Sequence, residues 1–123
     1  MKVGEIILNQ INLLGTKVEV AGYLILYGEL GFLSTDFANI LFSQIHRESI
    51  LIEQPIKLKE QLLNKVPPYI GGPPYEDLVT IIGTLCESHQ EPFPIALTHI
   101  NSLILTRKEG KKEYHIEMPS HQK

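Results

Sequence analysis

The pattern of Val18-Glu19-Val20-Ala21-Gly22-Tyr23-Leu24 returns in Val79-Thr80-Ile81-Ile82-Gly83-Thr84-Leu85. In each copy two β-branched residues, a glycine and a leucine fall two positions apart, the period that puts side chains on one side of a pleated strand. Val18, Val20, Gly22 and Leu24 are therefore predicted to meet one core with Val79, Ile81, Gly83 and Leu85. Glu19, Ala21 and Tyr23 in the first copy, and Thr80, Ile82 and Thr84 in the second, look the other way. A glycine inside a strand weakens it, and its presence marks a bulge, a sharp bend or a close approach of backbone. Two at matched positions point to coiled strands closing a small barrel.

The rest of the chain supplies partners for those two strands. Apolar residues from Val3 to Leu14 fit a short helix or turn on the core, before Gly15. The first strand covers about residues 17–27, long enough to bend across two layers. Gly28-Glu29-Leu30-Gly31 reads as a turn and Phe32 to Phe37 as a second strand, making a hairpin. Residues 38–49 suit a turn of helix or an extended crossing equally. Ile50-Leu51-Ile52 forms a third strand stopped by Pro55. Between Ile56 and Val66 the apolar positions Ile56, Leu58, Leu62, Leu63 and Val66 change to a helical period. The run Pro67 to Tyr75, with paired prolines and glycines, ends that helix. A fourth strand over about 77–87, the loop Ser88 to Pro94 and a fifth strand over about 95–107 follow. Glu109-Gly110 then turns the chain into a last strand around Glu113 to Ile116.

Three strands, a helix and two strands, with the template glycine in strands one and four, resemble the OB-fold, a Greek-key barrel of five strands. The expected fold class is mainly β: a five-stranded OB-fold barrel with a helix between strands three and four and a C-terminal hairpin extension. One domain is expected over residues 1–119, with a polar tail at 120–123. The repeated Val-x-Val/Ile-x-Gly-x-Leu motif, with Ile50-Leu51-Ile52 before Pro55, is similar to the small OB subunits of replication protein A and of telomere-end complexes, which bind single-stranded DNA. The resemblance covers about residues 5–107, and it implies a module working within an assembly.

In OB-folds that bind single strands, bases stack on aromatic residues of the open face while loops clamp the backbone. Tyr23 and Tyr27 lie on the non-core side of strand one with Phe32 and Phe37 nearby on strand two, so these aromatics are the candidate stacking residues. Arg107, Lys108, Lys111 and Lys112, clustered at the last turn, are the candidate phosphate contacts. The two clamp loops argue the other way. Gly28-Glu29-Leu30-Gly31 carries an acid and no base, and Glu87-Ser88-His89-Gln90-Glu91-Pro92 carries two acids. The plainer readings are aromatic residues that pack and a charged hairpin tip that is simply solvated.

The net charge of −3 removes the simplest argument for nucleic-acid binding. No Walker-type or GxGxxG spacing occurs, so neither a phosphate cradle nor a cofactor is predicted. Cys86 is the single cysteine. With His89 and His99 it makes a poor metal set, because structural zinc takes four ligands in paired spacing. Glu87 and Glu91 beside it oppose a reactive thiolate. No apolar run is long enough to span a bilayer and no signal-peptide layout is present, so a cytoplasmic location is expected. The function expected is a non-enzymatic module binding single-stranded nucleic acid. The alternative is a protein–protein interaction module without nucleic acid, its partner another protein or a second copy. No membrane partner is expected.

Overall fold

The computed structural model describes residues 1–35, 49–68, 70, 75–91, 93–107 and 112–118. Two short helices, α1 (Val3–Leu8) and α2 (Gln10–Leu13), precede strands β1 (Lys17–Tyr27), β2 (Leu30–Ser34) and β3 (Ile50–Ile52). Helix α3 (Pro55–Leu63) leads to β4 (Tyr75–Glu87), β5 (Ile95–Arg107) and β6 (Lys112–Glu117). The sheet runs β3-β2-β1-β4-β5-β6, and β3 also pairs in parallel with β5 through Ile50–Ile95, Leu51–Ala96 and Ile52–Leu97. That pairing closes β1 to β5 into a ring and leaves β6 bonded outside it. The architecture is the five-stranded OB-fold barrel with its helix between the third and fourth strands. No helix among the described residues is long and apolar enough to cross a membrane.

The two template copies pair with one another. β1 and β4 are antiparallel, with Val18 opposite Gly83, Val20 opposite Ile81 and Gly22 opposite Val79. Val20, Leu24, Ile81 and Leu85 are wholly buried, and Val18 and Val79 nearly so. The matched glycines answer different demands. A Cβ on Gly22 would lie 2.7 Å from Cγ2 of Val3 and 3.1 Å from the Ser34 carbonyl oxygen, so this glycine seats α1 on the barrel. A Cβ on Gly83 would lie 3.1 Å from the Thr98 carbonyl oxygen. There Thr84 pairs with Thr98 but Ile82 with Ser102, so His99, Ile100 and Asn101 bulge across the width of Gly83, with His99 at φ 48°. The bulge bends β5 from its β3 pairing towards β6.

Several expected boundaries move for local reasons. The β1–β2 turn is two residues, not four: Tyr27 pairs with Leu30, and Gly28 at φ 62° takes the first position of a tight hairpin loop. β2 accordingly begins at Leu30 and ends at Ser34, and the expected continuation at Asp36 and Phe37 lies outside the described residues, as do 38–48. Of the expected helical stripe, Leu58 and Leu62 are fully buried, one turn apart, and Val66 is buried beyond the helix end. Ile56 and Leu63 are half exposed, because a nine-residue helix lying on the barrel base touches it along one line. At the N-terminus Val3 and Ile6 are buried, whereas Leu8 and Ile11 face solvent at 86% and 85% exposure. The expected final hairpin has its second strand in β6, with Leu103 opposite Ile116, and its turn at Glu109-Gly110 lies outside the described residues.

Candidate binding face of the barrel

Residues that alternate outwards from the strands usually meet water, but one row here does not. Ile25 of β1 stands opposite Phe32 of β2, Phe32 opposite Leu51 of β3, Leu51 opposite Ala96 of β5, and Ala96 opposite Cys86 of β4. This hoop crosses all five strands on the outside of the barrel. Ile25, Phe32, Leu51 and Ala96 are buried, and they form a second apolar cluster with Phe93 of the β4–β5 loop. The Phe93 and Phe32 rings lie 5.6 Å apart at 46°, a tilted arrangement favoured by aromatic quadrupoles. Burial of one such ring is worth about 1.5–3 kcal/mol. The loop is tied to itself: the Ser88 hydroxyl accepts the Gln90 N–H, and the Gln90 carbonyl accepts the Phe93 N–H at 3.1 Å.

Beside the hoop is a cleft of about 240 Å³ bordered by Glu29 of the β1–β2 turn, by Leu51, Glu53 and Pro55, and by His89 and Gln90. Among the described residues no lysine or arginine lines it. The Cys86 thiol, half-buried, is pushed up to about 11 by burial first, then by the Glu53 carboxylate, which it also hydrogen-bonds, and by Glu87. It is a neutral thiol at ordinary pH and a weak nucleophile. His99 borders a separate cleft of about 200 Å³ between α3 and the β5 bulge, with Lys57, Gln61 and Met118. Among the described residues no three of His, Cys, Asp and Glu gather as a metal site.

The residues singled out in the sequence fall on different sides of the barrel wall. Tyr27 is 63% exposed at the end of β1, and Tyr23 is half-buried opposite Leu78. Phe32 is 4% exposed and offers no open ring. Arg107 shares the inward side of β5 with Leu103 and Leu105. Its guanidinium donates two bonds to Asp77 and one to the Pro67 carbonyl, and it lies 5.9 Å from the centre of the Tyr75 ring. Lys112, opposite Arg107, sits 5.1 Å from the Tyr114 ring centre. Lys108 and Lys111 lie outside the described residues. The outward Tyr23, Tyr27 and Phe32 are thus not joined to Arg107 and Lys112 in one groove.

Phe93 and Glu53 are the residues of this face that sequence reasoning passed over. A signal for Phe93 was present in Pro92-Phe93-Pro94, since two prolines hold a ring in place at low entropic cost. Glu53 carries no such signal, because its role depends on β3 lying beside β5. Comparison with protein-family models, with curated proteins and with solved structures returned no match.

Proposed function

We propose that this chain is a non-enzymatic binding module whose β1–β2–β3–β5 face takes a protein partner. The observation that carries this reading is an apolar hoop beside a cleft edged by Glu29 and Glu53, with Glu87 at the end of β4 and Glu91 on the loop after it both exposed. Such a face repels phosphates and suits a polypeptide with apolar and basic side chains. The barrel alone does not choose, since OB-folds serve oligonucleotides and other ligands alike. One observation favours the nucleic-acid reading, the exposed ring of Tyr27. In that reading Tyr27 and Tyr23 stack on bases, and Lys108, Lys111 and Lys112 meet phosphates.

Fluorescence anisotropy with labelled single-stranded oligonucleotides, at about 50 mM salt where phosphate contacts are strongest, should detect no binding at tens of micromolar protein. Affinity capture after nuclease treatment should recover a protein partner with wild type and lose it with the Glu29→Lys, Glu53→Lys double variant. Oligonucleotide binding that weakens by about 1–3 kcal/mol in Tyr27→Ala would overturn the protein reading.

A further inference from the structure

We infer that the outer edge of β6 is a docking site for an extended segment of another protein, which adds to the sheet as an antiparallel strand and carries lysine or arginine opposite Glu113 and Glu117. This is a second surface, and it shares no residue with the hoop or its cleft. Closing a barrel removes the edges of its sheet. β6 lies outside the ring and brings one back: among the described residues it pairs with β5 alone. The register tells which backbone groups are left over. Met118 donates its N–H to the Asn101 carbonyl at 2.9 Å, and Ser102 stands opposite Glu117, so the even-numbered residues of β6 turn their backbone groups to β5. The N–H and C=O groups of Glu113, His115 and Glu117 therefore point the other way. The His115 carbonyl agrees, since the exposed amine of Lys65, and not β5, donates to it at 3.4 Å. An incoming backbone N–H has that amine to displace.

Side chains choose the occupant. Glu113, His115 and Glu117 share one face of the strand and are exposed, with the Glu113 and His115 side chains at 61% and 66% and 3.5 Å apart. Tyr114 and Ile116, on the other face, pack with the core. A second copy paired about His115, the register that uses all three outward residues, sets Glu113 against Glu117 twice, and like charges directly opposite are destabilising. The same two carboxylates complement a foreign strand with a lysine or arginine at each end of a five-residue run. Charges commonly guard an edge against its own kind, and here the guard still admits a partner of opposite sign. Between its basic residues that strand needs apolar side chains opposite Tyr114 and Ile116, and a small polar one opposite His115. Main-chain bonds supply its affinity, and these alternate positions its specificity.

The probe is the capped peptide Lys-Val-Thr-Val-Lys, titrated into isotope-labelled protein and followed by nuclear magnetic resonance. The amide signals of Glu113, His115 and Glu117 should move, and their hydrogen exchange should slow by about 10-fold at nine-tenths occupancy. N-methylation of the threonine, whose N–H faces His115 in an antiparallel pair, should abolish binding, whereas N-methylation of a valine should leave it in place. His115→Pro removes the central outward N–H and no bond to β5, so it should stay folded, as edge strands accept proline, and lose the peptide. The Glu113→Lys, Glu117→Lys double variant gives a second readout on the protein side: it should lose the lysine peptide and bind Glu-Val-Thr-Val-Glu. Unmoved β6 amides in wild type, indifference to threonine N-methylation, or a double variant that keeps the lysine peptide would overturn the inference. So would a wild-type dimer, seen by sedimentation, that His115→Pro takes apart, since the edge would then belong to a second copy. Peptide shifts confined to the hoop would strike out the β6 site and leave the protein-partner reading of the hoop standing.

Discussion

Arg107 grips Asp77 through two parallel hydrogen bonds, Nε to Oδ1 at 3.1 Å and Nη2 to Oδ2 at 3.2 Å, where Asp77 is only 4% exposed. The fork geometry makes this pair specific to arginine. Its third bond, to the Pro67 carbonyl, fastens the segment after α3 to the end of the barrel. Arg107→Ala takes the guanidinium from a buried carboxylate, so a loss of about 3 kcal/mol is expected in a urea melt. Arg107→Lys should recover only part of it. Asp77→Asn combined with Arg107→Met should be milder than Arg107→Ala alone, and a double variant as damaged as the sum of the singles would refute the coupling.

Tyr75 closes the same end from within. Its side chain is fully buried and its hydroxyl donates to the Val66 carbonyl at 2.6 Å, while burial pushes its ionisation above the ordinary phenol range. Tyr75→Phe leaves that carbonyl without its donor at almost unchanged volume, so the loss should be about 1–2 kcal/mol. Tyr75→Ala, which also opens a cavity, should lose about 3–5 kcal/mol. Similar midpoints for the two variants in denaturant melts would contradict the packing described.

Gly22 tests the seat of α1. A methyl group there meets Val3 at 2.7 Å, so Gly22→Ala should destabilise the barrel by about 1–3 kcal/mol through overpacking. Pairing it with Val3→Ala should recover part of that loss, because the nearest clash is with that side chain while the Ser34 carbonyl oxygen at 3.1 Å stays in place. If Val3→Ala and Gly22→Ala simply add, the close approach of helix and strand is not the cause.

Cys86 gives the pH dependence. Its folded value of about 11 lies above the ordinary 9.0, so the folded protein holds this proton longer than the unfolded chain. The contribution is therefore complete below pH 9 and is lost as pH rises towards 11. Stability of wild type minus that of Cys86→Ala should fall across that window and stay flat below it. Iodoacetamide labelling should be slow at neutral pH and go on accelerating until pH reaches about 11, where it levels off. Rapid labelling at neutral pH would show that Glu53 and burial do not govern the thiol.

The barrel was legible in the chain because its signals are local and periodic. Alternation with a two-residue period fixed which side of β1 and β4 faces the core, and the doubled glycine pattern marked two places where another part of the chain comes close to the strand. A change of period at Pro55 followed by the run of prolines and glycines before Tyr75 placed the helix between the third and fourth strands. None of this needs knowledge of which strand neighbours which. The binding face does need it. Phe32 and Arg107 look equally available in a linear reading, one an aromatic on an outward position and the other the first of a basic cluster. Only closure of β3 on β5 and the return of the β4–β5 loop lay Phe93 over Phe32. Only the antiparallel pairing of β4 with β5 sets Arg107 beside Asp77, 30 residues away in the chain. Alternation is a property of one strand, whereas the cover over a side chain and the partner of a charge are set by residues distant in sequence.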